Sequence, residues 1–198
     1  EQYRPNSIIY GSGYASFYNE MTNNIMLLPY LNIDGMAVHG GDMVLGPAEN
    51  FEYPTGNSEI AYGVAISRLG ARWVDGIVYY DLSNHDNPDI ILQAISHIEE
   101  NTSIRFTTDI NNASNYLEFD DSLGGCWSYI GRVIAVQPVS IGPYCRSMGV
   151  VAHEIYHALG VFHEQSRSDR DQYVRINWDN INPDVQNNFQ IAGGADDI

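Results

Sequence analysis

HEIYHALGVFH, residues 153–163, is the stretch that decides the fold and chemistry of this chain. In an α-helix, positions four apart lie one turn above each other, so His153 and His157 face the same way. Two imidazoles on one helix face can supply the first two ligands of a zinc ion. Glu154 lies beside that face and can reach a water at the metal without being a ligand itself. The pattern therefore predicts a metal helix that carries its own general base.

The residues that follow complete a three-histidine set. Gly160 can adopt a left-handed conformation that ends the helix, and His163 is then free to approach the same ion from another side. Three neutral imidazoles leave one position of a tetrahedral zinc open, which is the catalytic arrangement. A structural zinc more often has a fourth Cys or His ligand, and none is obvious near the motif. Without a metal, the pattern would be an ordinary helix face with hydrogen-bonded histidines.

A family resemblance begins directly after His163. The residues EQSRSDRD at 164–171, followed by INW at 176–178, resemble the signature of the astacin family of zinc endopeptidases, a branch of the metzincins. The resemblance covers the chain from about residue 64. It implies an α+β fold, the astacin-like N-terminal subdomain: a twisted mixed sheet backed by helices, with the metal helix at the floor of a cleft. It also implies zinc-dependent hydrolysis of protein or peptide substrates.

The pattern of apolar residues after Trp73 predicts the same fold class. A helix is expected after Asn87, which can cap it, with Pro88 at its first position. The metal helix is expected over Met148 to Leu159, and a short helical segment after Asn182. Segments rich in β-branched and aromatic residues predict five strands, at 76–82, 103–107, 116–119, 125–131 and 133–141. A strand, a helix, several strands and a second helix are typical of an α+β fold.

Residues 1–63 have weaker periodicity and many small polar residues. We expect one short helix within Ser16 to Leu28, stopped by Pro29, in an otherwise irregular segment. Such a segment would fold poorly alone and is expected to lie on another surface. By the resemblance, residues 1–63 are a propeptide and residues 64–198 an astacin-like catalytic domain.

One motif in the predicted propeptide bears on latency. His39-Gly40-Gly41-Asp42-Met43 resembles the Phe-x-Gly-Asp-Ile switch of the family, with His39 and Met43 as departures. The resemblance implies that Asp42 occupies the open zinc position, so that the chain's own propeptide is its inhibitor. The two glycines permit the backbone to pass close to the metal. The alternatives are a Gly-Gly turn with a solvated aspartate, or His39 as a substitute ligand.

The resemblance also assigns roles around the cleft. The residues GCWSYIGR at 125–132 look like the family's edge strand, which would place Trp127, Ser128 and Tyr129 against extended substrate by backbone pairing. Core packing is an equal alternative for Trp127.

Glu164 matches the glutamate that receives the new N-terminal ammonium after processing in this family. Its partner here would be the amine of Val64 or a near neighbour, and cleavage after Arg68 is the competing site. Without that amine, Glu164 would be solvated or would pair with Arg167, three residues on.

Cys126 and Cys145 could be two buried thiols, but the resemblance implies a disulfide between them. The family's second disulfide would need a cysteine near Ser103, and there is none. Glycosylation acceptor patterns at Asn101 and Asn112 add a weak signal for a secreted protein. We therefore expect secretion.

The methionines depart from the family pattern, because all five precede His163 and none can form the Met-turn that follows the third histidine. We therefore expect residues 64–198 to lack the C-terminal part of the catalytic domain and to belong to a longer zymogen. A second polypeptide completing the site is an alternative. So is a zinc-binding module without catalysis, although the intact Glu154 argues against a site that needs no base.

Composition excludes some partners. The 198 residues carry nine Arg, no Lys and a net charge of −16, so nucleic acids and anionic membrane surfaces would be repelled. The longest apolar cluster, Ile25 to Leu31, contains Pro29 and is too short to span a membrane.

Overall fold

The structure, a computed structural model, describes residues 9–19, 24–51 and 71–191. In this part of the chain two helices accompany one large sheet. The helices are α1 (Asp89–Asn101) and α2 (Met148–Leu159). The strands are β1 (Ile9–Asn19), β2 (Asn24–Ile33), β3 (Met36–His39), β4 (Met43–Pro47), β5 (Ile77–Asn84), β6 (Arg105–Thr107), β7 (Tyr116–Asp120), β8 (Cys126–Tyr129) and β9 (Val136–Ile141). Their order in the sheet is β1-β2-β3-β4-β8-β9-β7-β5-β6.

Five of these strands form the half of the sheet that the sequence predicted. β5 lies parallel to β6 and β7, β7 lies parallel to β9, and β8 runs antiparallel to β9. Each lies within or next to the range expected from its apolar pattern. The expected mixed sheet is therefore confirmed.

Both helices pack on one face of this half. The apolar stripe of α1 is buried and joins α2 and the sheet in one core, which includes Ile91, Ile98, Phe119, Val151 and Ile155. The metal helix has the predicted bounds. The start of α1 differs slightly, because Pro88 takes the capping position and makes no side-chain cap hydrogen bond.

Strands replace the helix predicted for Ser16 to Leu28. The described residues of this range, 16–19 and 24–28, fall in β1 and β2, which pair antiparallel with Asn19 opposite Asn24. Gly13, whose glycine-rich surroundings suggest a turn, lies inside β1 opposite Tyr30. A Cβ atom at Gly13 would meet the Tyr30 ring at 2.8 Å, so the glycine is there to admit a neighbouring ring.

The N-terminal strands extend the main sheet. β1 to β4 form an antiparallel meander, and β4 then pairs in parallel with β8, placing Met43 opposite Ser128 and Val44 opposite Tyr129. This segment was expected to be irregular, and it is a four-stranded unit instead. As expected, it lies on another surface: one apolar cluster joins it to Ile130 and Phe162, and a second joins it to Trp127.

The boundary between the two predicted domains lies outside the described residues, as do the processing sites considered near Val64 and Arg68. Among the described residues, neither helix has both the length and the apolar character that crossing a membrane requires.

Candidate metal centre

Helix α2 presents two of the histidines. Its first turn is capped by Ser147, whose hydroxyl accepts a hydrogen bond from the Val150 N–H at 3.3 Å. Gly160 ends it with φ 105°, a left-handed conformation that glycine adopts without steric cost. The chain reverses there and brings His163 back towards His153 and His157, as the sequence predicted.

The three imidazoles converge on Asp42. The Nε2 atom of His153 lies 3.0 Å from that of His157 and 3.1 Å from that of His163. Asp42 Oδ1 lies 3.2 Å from His163 Nε2 and 3.7 Å from His157 Nε2, and Oδ2 lies 3.3 Å from His153 Nε2. The four side chains could together hold a metal ion, since their ligand atoms all lie within 4.8 Å of one another.

The spacing of these atoms fits a tetrahedral zinc. Ligand bonds of about 2.0–2.1 Å at tetrahedral angles put neighbouring ligand atoms about 3.3 Å apart. The five contacts given above span 3.0 to 3.7 Å and bracket that value. Three imidazole nitrogens and one carboxylate oxygen are also a donor set that zinc accepts.

His157 is held in the form that a metal ligand needs. Its Nδ1 lies 2.7 Å from the Val161 carbonyl oxygen and donates to it, which leaves the Nε2 lone pair for an ion. Burial lowers the pKa of His157 to about 3, so the ring is neutral at physiological pH. A neutral ring can act as a ligand.

Asp42 reaches the histidines on a glycine turn between β3 and β4. Gly40 and Gly41 have φ of 66° and 101°, and a Cβ atom on Gly40 would meet His163 Nδ1 at 2.6 Å. The Ser128 N–H donates to the Asp42 carbonyl oxygen at 3.1 Å and fixes the turn against β8. The sequence argument that glycine permits this approach is thus confirmed at Gly40.

The Asp42 carboxylate is only 3% exposed. Its burial raises the pKa, but hydrogen bonds from His153 and His163 outweigh burial and hold the pKa well below its usual range. A solvated aspartate on a free turn, the alternative considered from the sequence, is not what the structure contains.

Glu154 and His39 lie close to this group without belonging to it. Glu154 is fully buried in α2. His39 is also fully buried, its Nδ1 donates to the Pro29 carbonyl oxygen at 2.6 Å, and its ring meets the Phe162 ring edge-on. His39 therefore packs behind the turn, and the substitute-ligand alternative is wrong for this structure.

The predicted substrate strand is covered by the chain's own N-terminal segment. β8 has β9 on one side and β4 on the other, so Ser128 and Tyr129 face a strand where substrate was expected. Trp127 is 3% exposed and packs with Val38 and Val44, which is the core-packing alternative.

Two further sequence predictions concern the cysteines and Glu164. Cys126 and Cys145 form the expected disulfide, which joins the start of β8 to the segment before α2. Glu164 is exposed and lies 3.4 Å from Arg167, the pairing expected when no new N-terminal amine is present.

Nothing in the sequence indicated a role for the Trp73 side chain, which donates a hydrogen bond to α2 across 85 positions of sequence. No local pattern indicates a contact at that separation.

Comparison with known proteins shows the family to which the chain belongs. A family model described as Astacin, a peptidase family, matches residues 65–196. The chain belongs to the astacin family. The family match covers α2 and the turn after it, and so includes His153, His157 and His163, whereas Asp42 lies outside it.

Two similar proteins are named zinc metalloproteinases. Zinc metalloproteinase nas-28 of Caenorhabditis elegans is 45% identical over 102 residues, 50% of this chain and 20% of that protein. Zinc metalloproteinase nas-13 of the same organism is 36% identical over 130 residues, 63% of this chain and 28% of that protein. The chain thus spans less than a third of either astacin relative.

A solved structure is similar as well. High choriolytic enzyme 1, a hatching enzyme zinc-protease from Oryzias latipes, matches with a TM-score of 0.55 and 36% identity. The match covers 61% of this chain and 62% of that chain. It supports the astacin-like fold of this chain.

Proposed function

We propose that the protein is a zinc metalloendopeptidase held latent by its own N-terminal segment. The observation that carries the proposal is the contact of the Asp42 carboxylate with three imidazoles of an astacin metal motif. In this proposal His153, His157 and His163 are the zinc ligands and Asp42 fills the fourth position. Residues 1–63 are the propeptide, and residues 64–198 belong to the catalytic domain.

The chemistry after activation is peptide hydrolysis with Glu154 as the general base. Zinc, when bound, supplies a Lewis acid that lowers the pKa of a water and polarises the scissile carbonyl. Glu154 accepts a proton from the attacking water and returns it to the leaving amine as the C–N bond breaks. Its position directly after His153 in α2 supports this role. No covalent intermediate with the protein is needed.

Latency in this proposal has two parts. Asp42 and the attacking water compete for one position beside the three histidines, so inhibition and turnover exclude each other. The pairing of β4 with β8 also occupies the strand along which an extended substrate would bind, involving Trp127, Ser128 and Tyr129. Both parts end when the N-terminal segment leaves.

Charge does not hold the segment in place. Residues 1–63 carry one Arg against seven acidic residues, and residues 64–198 carry eight Arg against eighteen, so both parts are acidic. Apolar packing, the short β4–β8 pairing and the Asp42 contact must therefore stabilise docking. The N-terminal segment should therefore dissociate readily after cleavage near Val64. Glu164 would then pair with the new N-terminal amine instead of Arg167.

We also infer that the protein is secreted. The Cys126–Cys145 disulfide requires an oxidising environment to form and persist. Protein or peptide substrates outside the cell are the corresponding partners.

Glu154→Gln in the processed, zinc-loaded protein tests the proposal. The substitution keeps the size of the side chain and removes the base, so kcat/KM for an internally quenched peptide should fall by roughly 10²–10⁴ with zinc retained. Glu118→Gln, on strand β7, is the matched control and should leave kcat/KM unchanged. Equal activity in both variants would refute the role of Glu154. Processed wild-type protein that binds zinc and cleaves nothing would instead indicate a binding module.

A further inference from the structure

The C-terminal turn of α2 contains backbone groups that the helix itself cannot satisfy. The last four carbonyls of any α-helix lack intrahelical partners. In α2, the Val161 N–H donates to the Tyr156 carbonyl at 2.8 Å, and the Gly160 N–H donates to the His157 carbonyl at 2.8 Å. Turns of this kind complete many helices without outside help.

The next carbonyl is satisfied from a distant part of the chain. The indole Nε1–H of Trp73 donates to the Ala158 carbonyl oxygen at 2.9 Å, across 85 positions of sequence. Trp73 is 7% exposed, and its ring belongs to the same core as Ala158. A buried carbonyl that loses its donor destabilises the fold, so this bond constrains where the turn can lie.

The same turn sets the geometry of two proposed zinc ligands. The His157 ring is oriented by the Val161 carbonyl, three residues beyond Ala158. His163 follows two residues later and enters the metal group from that turn. A shift of the Ala158 peptide would therefore change both His157 and His163.

Trp73 is itself braced by a second segment at the same helix end. The Arg132 N–H donates to the Ala71 carbonyl and its Nε–H donates to the Arg72 carbonyl, both at 2.9 Å. The neighbouring Gly131 N–H donates to the His157 carbonyl at 2.8 Å. Two segments fastened to each other thus hold adjacent carbonyls of the metal helix.

We propose that Trp73 is a positioning residue for the metal centre: its indole N–H fixes the last turn of α2 and so the orientation of His157 and His163. The inference rests on the proposed function, because it requires these histidines to hold zinc. Trp73 contacts neither the four-residue metal group nor Glu154 through this bond, and acts through the Ala158 peptide.

Zinc affinity of the full chain tests this inference. Trp73→Phe keeps an aromatic ring in the core, removes the indole donor and makes the side chain smaller. Outer-shell changes of this kind weaken metal binding about 10- to 100-fold, and we expect at least about a tenfold rise in the zinc Kd measured by chelator competition. The cobalt-substituted protein should also show an altered visible absorption spectrum. Both measurements use an Asp42→Asn background, so that the three histidines dominate binding.

Thr102→Val in the same background is the matched control. The Thr102 hydroxyl also donates to a carbonyl in the last turn of a helix, that of Ile98 in α1 at 2.8 Å, and Thr102 belongs neither to the metal group nor to the predicted substrate strand. The control should lose comparable thermal stability and keep its zinc Kd within about twofold. If Trp73→Phe folds too poorly to measure, Arg132→Lys removes the brace on Arg72 and should weaken zinc binding about threefold.

The outcomes separate the inference from the proposed function. An unchanged zinc Kd in Trp73→Phe, or in Arg132→Lys where that variant replaces it, overturns the positioning role and leaves the proposed function standing. Equal loss of affinity in Trp73→Phe and Thr102→Val overturns it too, because the effect is then general destabilisation. A parent protein that binds no zinc refutes the proposed function and the inference together.

Discussion

Asp42 Oδ1 lies 3.2 Å from His163 Nε2, although Asp42 belongs to the turn after β3 and His163 to the turn after α2. The contact brings the N-terminal sheet and the metal helix to a single point.

Replacing Asp42 should release latency without removing the metal. Asp42→Asn keeps the shape of the side chain and removes the charge, so zinc should stay bound to three histidines while the fourth position opens to water. The N-terminal segment also loses one of the contacts that dock it, so it should leave β8 more often. We therefore expect the unprocessed variant to cleave a quenched peptide at least about tenfold faster than unprocessed wild type. Zinc content is measured in parallel.

Glu49→Gln is the control for charge in the same segment. Glu49 is exposed in the short helical turn after β4, and its substitution removes one negative charge away from the metal group. It should leave latency as in wild type. If Asp42→Asn stays as inactive as this control while binding zinc, the Asp42 contact is not required for latency.

Replacing Gly40 should loosen the same contact by steric repulsion. Gly40→Ala puts a Cβ atom 2.6 Å from His163 Nδ1 at a φ of 66°, so the turn must move away from the histidines. Peptide cleavage before processing should rise in this variant. Gly35→Ala is matched, since it has a φ of 84° and open space around its Cβ.

The two glycine variants distinguish the effect of backbone strain from the effect of the steric clash with His163. Both should lose about 1 kcal/mol of stability from the left-handed conformation, but only Gly40→Ala should lose latency. The free energy of unfolding and the cleavage rate of the unprocessed proteins supply the two measurements. Equal latency in both variants would show that the close approach of Gly40 to His163 is not required.

Much of the metal centre could be predicted because its determinants are local. The spacing of His153, His157 and His163 depends on one helix and one glycine turn, and the structure contains both. The strands after Trp73 could be predicted as well, because their segments are rich in β-branched and aromatic residues. Tertiary contacts over long distances left no such pattern.

The N-terminal segment shows why the remainder was not predictable. The sequence around Gly13 suggests a turn, but in the structure Gly13 leaves room for the Tyr30 ring of the neighbouring strand. Pro29 suggests the end of a helix, but in the structure its carbonyl oxygen accepts a hydrogen bond from His39. The pairing of Met43 with Ser128 depends on a partner strand far along the chain. Such choices are set by packing rather than by local propensity.

His39 should make the unprocessed protein less stable in acid. Burial lowers the pKa of His39 from 6.5 to about 4, although its hydrogen bond to Pro29 opposes this shift. Between these values the unfolded chain binds a proton and the folded chain does not, so stability falls as the pH falls from about 6.5 to 4. The loss by pH 4.5 should be about 2–3 kcal/mol.

His39→Phe isolates this contribution, because phenylalanine fills the site and does not titrate. The free energy of unfolding in urea, measured at pH 7 and at pH 4.5, should fall by about 2–3 kcal/mol less in the variant than in wild type. His97→Gln, which removes an exposed histidine from α1, should behave as wild type. Identical acid sensitivity in all three proteins would exclude His39 as its source.

A crystal structure of the unprocessed, zinc-loaded protein, with anomalous data at the zinc edge, tests the central claim most directly. The claim is that one position beside three histidines serves both inhibition and catalysis. We predict one zinc peak bonded to the Nε2 atoms of His153, His157 and His163 and to the Asp42 carboxylate, with Glu154 nearby and not coordinated. A zinc that carries water in the fourth position, with Asp42 displaced in an intact chain, would contradict the account.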